Sequence, residues 1–221
     1  MTSRASMRVV SVNVGLPRDI EWKGRIYRTA IIKDPVEGPV AVRRHNLAGD
    51  RQAEPTLHGG PDKAAYVYPA EHYTFWRPEL AGVELGWGAF GENLTTEGLV
   101  EDEVRIGDRY AIGSAEIRVT EPRMPCFKMV ARFRRPDIAK RFLANGLTGF
   151  YCAVAREGET ESGAPIRLLE RDPSGVAVAE ITRLFARDRD DLDGLRRALA
   201  VRSLPESWRA HFRMELARHD R

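Results

Sequence analysis

Residues 58–76 read HGGPDKAAYVYPAEHYTFW, a stretch that contains three kinds of local structure within 19 residues. The run Gly59-Gly60-Pro61 favours a tight turn, because glycine accepts positive φ and proline restricts its own φ. The aromatic and β-branched residues of 64–68 then predict a strand, and residues 69–76 predict a short helix. A short strand between a turn and a short helix is typical of a β-rich domain with irregular connections.

The same alternation of short strands and turns continues on both sides of this stretch. Eighteen of the 19 glycines and 12 of the 13 prolines lie at or before residue 175. Further strands are predicted at residues 8–14, 25–33, 40–43, 105–112, 115–120, 150–155 and 166–169, and a second short helix at residues 136–144. Many short strands with irregular connections favour a barrel or a folded-over sheet, so we expect a mainly β fold.

The composition changes near the end of the chain, where one glycine and one proline remain in the last 46 residues. Apolar residues at helical spacing predict helices over residues 176–187 and 192–200, and a third that begins near Pro205. We therefore expect a β-barrel domain over residues 1–172 and a three-helix domain over residues 173–221. The helices suit a docking or interface module better than a catalytic one, and their apolar stripes would allow a homodimer.

Length, composition and charge exclude several classes of protein. The chain has 221 residues, of which 43% are hydrophobic and 30% charged, with a net charge of +3 and two cysteines. It has no apolar run of 18 residues for a membrane span, and no apolar segment of the kind found in secretory signals. Two cysteines make no disulfide framework, so we expect a cytoplasmic protein with reduced thiols. Mixed charges without a basic helix or zinc-finger spacing argue against dedicated nucleic-acid binding.

Residues 58–63 are the first of three polar segments that could form a functional site. His58, Asp62 and Lys63 surround two glycines whose N–H groups can bind an anion. Lys63 is notable because the chain has 30 arginines but only five lysines. A plain turn is the alternative interpretation, and the hexapeptide taken alone favours it.

The other two polar segments are residues 88–96 and residues 123–128. Residues 88–96 carry glycines, an amide, a carboxylate and hydroxyls that can bind the polar edge of a heterocycle. A structural loop capped by these polar side chains is an equal alternative interpretation of this segment. Residues 123–128 place Cys126 between two cationic residues, which favours the thiolate that attacks electrophiles or binds soft metals. A buried structural cysteine is the alternative for Cys126. We interpret Cys152, which lies in an apolar run, as a small buried hydrophobic residue.

Taken in order, these segments resemble the MOSC family, the domain found at the C-terminus of molybdenum-cofactor sulfurases, and most closely its stand-alone bacterial YiiM-like branch. The resemblance is carried by residues 46–54, 58–76, 88–99, 106–108, 121–128 and 146–151. The tail resembles the three-helix extension of that branch. The resemblance implies a MOSC β-barrel related to the pyruvate-kinase barrel domain. It also implies a cofactor in which a pterin dithiolene holds molybdenum and the pterin ends in a phosphate.

The resemblance implies roles for particular residues. The motif cysteine of the family corresponds to Cys126, which would ligate molybdenum through its thiolate. The phosphate needs cationic and N–H partners, and Asn93 lies in the stretch that resembles the pterin-contacting loop. Candidates for cofactor binding are Lys33, Gly59, Gly60, Lys63, Asn93 and Arg123. Glu121 departs from many relatives, which have an uncharged residue there, and its carboxylate would be unfavourable unless it points outward or pairs with Arg123.

The family implies an oxidoreductase that reduces N-hydroxylated compounds to amines, with N-hydroxylated nucleobases as one candidate substrate class. His58 or Asp62 would manage the proton that the leaving water needs. No Rossmann fingerprint, flavin motif or Cys₄ spacing is present, so electrons would come from a separate reductase. Two alternatives stay open. The protein could be a non-catalytic carrier or sensor of the cofactor, or of sulfur as a Cys126 persulfide, or it could be a hydrolase with Cys126 as nucleophile and His58 as base.

Overall fold

Short runs of β-branched and aromatic residues between turns form the strands of the molecule, as strand propensity predicts. The computed structural model describes residues 6–55 and 59–219. In chain order its strands are β1 (Arg8–Val14), β2 (Arg18–Trp22), β3 (Arg25–Thr29), β4 (Asp34–Val36), β5 (Val40–Val42), β6 (Ala65–Pro69), β7 (Leu94–Glu97), β8 (Arg109–Ile112), β9 (Ala115–Pro122), β10 (Phe150–Arg156), β11 (Gly158–Thr160) and β12 (Ile166–Glu170). Its helices are α1 (Glu71–Glu79), α2 (Phe127–Phe133), α3 (Ile138–Asn145), α4 (Val178–Ala186), α5 (Leu192–Ala200) and α6 (Glu206–His219), and Pro61–Lys63 forms a 3₁₀ turn.

Eight of these strands form one sheet in the order β12-β8-β9-β10-β6-β7-β1-β4. Neighbouring strands are antiparallel except β6 and β7, which run parallel with Val67 opposite Leu94. The sheet closes on itself, because Val9 N–H donates to the carbonyl of Ala164 and Ile166 N–H donates to that of Met7, both at 2.9 Å. These bonds join β1 to the start of β12 and complete a barrel. The mainly β fold with C-terminal helices is therefore confirmed.

The barrel interior and the C-terminal helices bury their apolar side chains in one continuous core. Val119 and Phe150 of the barrel belong to the same buried cluster as Val178, Ile181 and Phe212 of the helices. Each such side chain contributes about 1.5–3 kcal/mol when it is fully buried. Because the barrel and the helices share this core, the division into domains over residues 1–172 and 173–221 stays a prediction.

A second apolar cluster lies outside the barrel and is rich in aromatic rings. Tyr68 stacks against Phe90 and Phe142 with ring centroids 4.7 and 6.1 Å apart, and Trp76 of α1 stacks against Phe142 at 6.0 Å. Offset and edge-on ring contacts of this kind add about 0.5–1.5 kcal/mol per pair beyond their area burial. This cluster fixes α1, α2 and α3 against β6, and it thereby places the residues that precede and follow α2.

Candidate functional site

Cationic side chains from separate segments of the chain line one cavity, here called the cationic cavity, together with the thiol of Cys126. The functional groups in its lining are those of Lys33, Lys63, Asn93, Arg123, Cys126 and Lys128. Asp50 is the one carboxylate in the lining among the residues that the structure describes. The structure thus brings together five of the residues that sequence analysis selected and adds Lys128, which follows Cys126 by two positions.

Arg123 is a cation of this cavity for which the described residues provide no carboxylate partner. Its side chain is buried, and its guanidinium lies over the rings of Tyr66 and Phe142 at 5.5 and 5.3 Å from their centroids. One guanidinium nitrogen, Nη1, contacts the sulfur of Met129 at 3.7 Å. Across residues 6–55 and 59–219, no carboxylate lies within ion-pair distance of Arg123. A buried charge without a counter-charge is costly, so this position favours a bound anion.

Two of the lysines are held in the cavity wall by ion pairs. Lys33 donates to Asp50, which also accepts a hydrogen bond of 2.9 Å from Gly15 N–H. Lys128 donates to Glu54. Both lysine side chains are less than a tenth exposed. These ion pairs hold the two ammonium groups in fixed positions in the cavity wall and offset part of their positive charge.

Cys126 lies between β9 and α2, at the position that precedes the first residue of the helix. Its backbone is extended, with φ −120° and ψ 169°, and its carbonyl accepts a hydrogen bond of 3.0 Å from Met129 N–H. The residue is half-buried and lines the cavity with its thiol. Cys152 differs from Cys126 in its burial and its place in the fold. It is buried within β10, as predicted, and burial raises the pKa of its thiol.

The segment of residues 88–96 is built around a buried carboxylate. Glu92 accepts hydrogen bonds from Gly88 N–H at 2.9 Å and from the hydroxyl of Tyr73 at 2.5 Å, and burial raises its pKa. Asn93 follows, and its side-chain oxygen accepts a hydrogen bond of 3.1 Å from Tyr66 N–H. These bonds make the segment a rigid loop, which agrees with the structural interpretation, while Asn93 still lines the cavity.

Gly59, Gly60 and Asp62, which were also selected from the sequence, do not line the cationic cavity. His58 lies outside the described residues. Gly59 N–H already donates to the carbonyl of Pro55 at 3.0 Å, and Gly60, with φ 98°, precedes the 3₁₀ turn. The carbonyl of Asp62 accepts a hydrogen bond of 2.6 Å from the hydroxyl of Thr120, and its carboxylate is not part of the lining. The glycines therefore fit the turn interpretation, and the structure offers no support for proton delivery by Asp62.

A second cavity of about 380 Å³, here called the seam cavity, lies where the barrel meets the C-terminal helices. Cys126, Lys63 and Tyr151 line both cavities, so the thiol stands at their junction. The helices contribute Phe185, Ser207, Trp208 and His211 to the seam cavity. Helical periodicity could not predict this arrangement, because it shows which stripe is buried and not what it packs against, and the interpretation of the helices as a docking module stays a prediction.

Glu121 lies at the inner wall of the seam cavity and connects the barrel to α6. The indole N–H of Trp208 donates to its carboxylate, and Lys63 Nζ stands 3.6 Å from its other oxygen. Two possibilities were expected for Glu121 from the sequence, pointing outward or pairing with Arg123, and the structure shows neither, because Glu121 is buried and Lys63 is its cationic partner. Burial raises the pKa of Glu121, although the charge of Lys63 and the hydrogen bond from Trp208 partly oppose this shift.

Within residues 6–55 and 59–219, no group of three or more His, Cys, Asp or Glu side chains is placed to hold a metal ion. In the same part of the chain, no helix has the length and apolar character that crossing a membrane requires.

Comparison with known proteins defines the class to which this fold and site belong. The MOSC domain model matches residues 54–167, and the model of the YiiM-like 3-alpha helix domain matches residues 176–219. The chain therefore belongs to the MOSC family, and it carries the helical domain of the YiiM-like branch. The MOSC family is associated with binding of the molybdenum cofactor.

Individual relatives support this assignment along most of the chain. The chain is 42% identical over 204 residues to the uncharacterized protein YflK of Bacillus subtilis (strain 168), with 92% of each chain covered. The crystal structure of YiiM from Geobacillus stearothermophilus matches with a TM-score of 0.80 and 37% identity, over 95% of this chain and 99% of that one. A protein of Gibberella moniliformis (strain M3125 / FGSC 7600) named Reductase is 36% identical over 164 residues, which are 71% of this chain and 28% of that protein.

Proposed function

We propose that the protein binds a molybdenum cofactor in the cationic cavity and reduces N-hydroxylated compounds to amines. The observation that carries the proposal is the buried guanidinium of Arg123, which lacks an acidic partner in the described chain and lines the same cavity as the Cys126 thiol. Membership of the MOSC family and the likeness to a protein named Reductase support the cofactor and the class of reaction.

The donor groups of the cationic cavity fit the chemistry of such a cofactor. A pterin phosphate is an anion, and Arg123, Lys63 and the two fixed lysines offer charge-assisted hydrogen bonds to it. The cavity volume is about 80 Å³. That is several times the ~10–15 Å³ which one water molecule needs, so the cavity admits a phosphate-sized group. Cys126 would be the protein ligand of molybdenum, because a thiolate suits a soft metal.

The reaction consumes two electrons and two protons, according to R–NH–OH + 2 e⁻ + 2 H⁺ → R–NH₂ + H₂O. The N–O bond breaks, a new N–H bond forms, and the oxygen leaves as water. When bound, the cofactor would supply the two-electron chemistry. The contributions of this chain are to bind the anion through Arg123 and Lys63, to hold the metal through Cys126, and to present the substrate at that thiol. The electrons would come from a separate reductase, since the sequence contains no motif for a second redox group.

Metal analysis together with an activity measurement tests the proposal. Protein purified from a molybdenum-replete host is expected to contain molybdenum and pterin in equal amounts. It is also expected to convert an N-hydroxylated purine to the amine when a reduced viologen dye supplies electrons. A protein that contains neither molybdenum nor pterin would contradict the proposal. A persulfide on Cys126 without molybdenum, detected by intact-protein mass spectrometry, would favour the sulfur carrier instead.

A further inference from the structure

Lys63 lines both the cationic cavity and the seam cavity, so its charge acts in both. Its ammonium nitrogen stands 5.8 Å from the ring centroid of Tyr151, which also lines both cavities. The Lys63 side chain is 30% exposed, whereas those of Lys33 and Lys128 are less than a tenth exposed. Lys63 is thus the least enclosed of these three lysines.

The backbone of Lys63 is fixed, whereas its ammonium group is held less firmly. Lys63 N–H donates to the carbonyl of Gly60 at 3.1 Å, and the carbonyl of the preceding Asp62 accepts a hydrogen bond of 2.6 Å from Thr120. The ammonium nitrogen is 3.6 Å from Glu121 Oε1, which is beyond the range of roughly 2.7–3.2 Å for an N–H···O hydrogen bond. Rotation about the side-chain bonds of Lys63 therefore suffices to move this charge.

Glu121 connects the charge of Lys63 to the C-terminal helices. Its carboxylate is buried, and its other oxygen, Oε2, accepts the indole N–H of Trp208 in α6. Oε1 is enclosed and makes no hydrogen bond within the described chain, so Lys63 compensates its charge from a distance. A hydrogen bond to an ionised acceptor is stronger than one to a neutral acceptor. When Lys63 moves away, the bond from Trp208 must therefore become stronger, because the carboxylate then carries its charge without compensation.

An anion in the cationic cavity competes with Glu121 for Lys63. The buried guanidinium of Arg123 lines that cavity, so an anion bound there shares the cavity with the Lys63 side chain. A phosphate oxygen offers Lys63 a charge-assisted hydrogen bond, which the 3.6 Å contact with Glu121 does not provide. Movement of the ammonium group towards the anion leaves Glu121 with its hydrogen bond from Trp208.

We infer that Lys63 couples anion binding in the cationic cavity to the contact between the barrel and α6. A bound anion draws the Lys63 ammonium group away from Glu121, and the hydrogen bond from Trp208 to Glu121 strengthens in response. The inference rests on the proposed function in one respect, namely that the cationic cavity binds an anion. Because coupling between two sites is reciprocal, the charge of Glu121 in turn weakens anion binding.

An NMR titration of the full chain with inorganic phosphate tests this coupling. The protein is produced in a host that makes no molybdenum cofactor, and the ionic strength is held constant with chloride. The indole N–H signal of Trp208 is assigned by its loss in Trp208→Phe. We expect phosphate to shift this signal to higher frequency, the direction of a stronger hydrogen bond. The indole signal of Trp87, which lines neither cavity, should stay in place.

Two substitutions separate the coupling from a direct effect of the anion on Trp208, with binding measured by calorimetry. Lys63→Met removes the ammonium group and keeps an apolar chain of similar length. Its Trp208 signal should lie at the phosphate-bound position before any phosphate is added, and phosphate that binds at Arg123 should not shift it further. In Glu121→Gln a carbonyl oxygen still accepts the indole N–H, but the charge that competes for Lys63 is gone. Phosphate should bind this variant about two- to fivefold more tightly, the effect of one partly exposed ion pair.

Glu116→Gln is the matched control for the loss of one carboxylate. Glu116 lies on the same strand as Glu121, pairs with Arg109 at 2.7 Å and lines neither cavity. Its phosphate affinity and its Trp208 shift should equal those of the wild type. The inference would be overturned by a wild-type phosphate complex with an unmoved Trp208 signal or by an undiminished shift in Lys63→Met. Unchanged or weaker phosphate binding in Glu121→Gln would overturn it as well.

The outcomes also separate this inference from the proposed function. A phosphate-dependent Trp208 shift in a protein that never acquires molybdenum or activity would contradict the proposed function and leave the coupling standing. An active molybdenum enzyme whose cofactor-free form binds phosphate without a Trp208 shift would do the reverse. Absence of phosphate binding in the wild type and in Glu121→Gln would overturn the inference, while molybdenum and pterin content would still decide the proposed function.

Discussion

Replacement of Arg123 by methionine should weaken cofactor binding without weakening the fold. Methionine keeps most of the length and the apolar contacts of the side chain over Tyr66 and Phe142, and it removes the charge. A hydrogen bond to a charged group contributes about 1.5–3 kcal/mol. The cofactor should therefore dissociate about 10- to 150-fold more readily, because each 1.4 kcal/mol corresponds to a factor of about ten. The free energy of unfolding of the cofactor-free protein should stay the same or rise, since a buried cation with no carboxylate partner among the described residues is removed.

Two measurements check this prediction. Urea unfolding of the cofactor-free protein gives the stability, and molybdenum and pterin content after extended dialysis gives the retention. Arg8→Met is the matched control, because Arg8 is half-exposed and its pair with Glu97 should contribute little to stability. A simultaneous fall of stability and retention in Arg123→Met would refute the reasoning, since Arg123 would then be a structural residue. Unchanged retention would refute it as well.

Three further predictions concern Lys63, Cys152 and Glu121. Lys63→Ala removes a cation from the cationic cavity and should lower the molybdenum content of the dialysed protein without unfolding it. Unchanged molybdenum content and activity would contradict a role of Lys63 in cofactor binding. Cys152→Ser should lower the free energy of unfolding in urea by about 1–3 kcal/mol and leave the activity intact, because it buries a hydroxyl within an apolar strand; wild-type stability would be the contrary result. The free energy of unfolding of the wild type should fall as the pH rises from about 4.3, the ordinary pKa of a glutamate carboxyl, towards the raised pKa of Glu121. In this range the folded protein keeps a proton that the unfolded chain releases. Glu121→Gln should reduce this fall, and identical pH profiles of urea unfolding would show that Glu121 does not cause it.

Strongly periodic segments of the fold could be predicted from the sequence. The predicted strand over residues 8–14 coincides with β1, and the predicted helix over residues 192–200 coincides with α5. The β-branched residues of the former favour only a strand, and the single apolar stripe of the latter favours only a helix. The predicted strand over residues 105–112 is shorter, because Arg105 N–H bonds to the carboxylate of Asp108 at 2.9 Å and forms a turn there. The first tail helix begins later than predicted, because the carbonyl of Val176 accepts a hydrogen bond from Ile106 N–H at 3.0 Å.

Only part of the candidate site could be predicted from the sequence, because its residues come from separate segments of the chain. Lys33 and Asn93 were grouped with Cys126 only because the chain resembles a family, since no local pattern places such distant residues together, whereas Arg123 and Cys126 share one short segment. The turn at Gly59 could be explained locally, since its amide serves the Pro55 carbonyl. The seam cavity could not be predicted, because it depends on how the helices dock on the barrel.

Helix α2 (Phe127–Phe133) was also not predicted from the sequence, although it begins at the residue that follows Cys126. Its sequence, FKMVARF, has only two turns and carries charges between its apolar residues. Propensity over so short a window is a weak guide, because most helical stability in proteins comes from tertiary packing. Here the buried side chains of Met129 and Phe133 supply that packing against the aromatic cluster.

The central claim, that Cys126 holds molybdenum, is tested most directly by X-ray absorption at the molybdenum edge. Wild type and Cys152→Ser are predicted to show the same number of sulfur neighbours around the metal. Cys126→Ser is predicted to show one fewer, or to lose the metal altogether, because a hydroxyl is a harder and far less acidic ligand than a thiol. An unchanged sulfur count at full molybdenum occupancy in Cys126→Ser would contradict the claim.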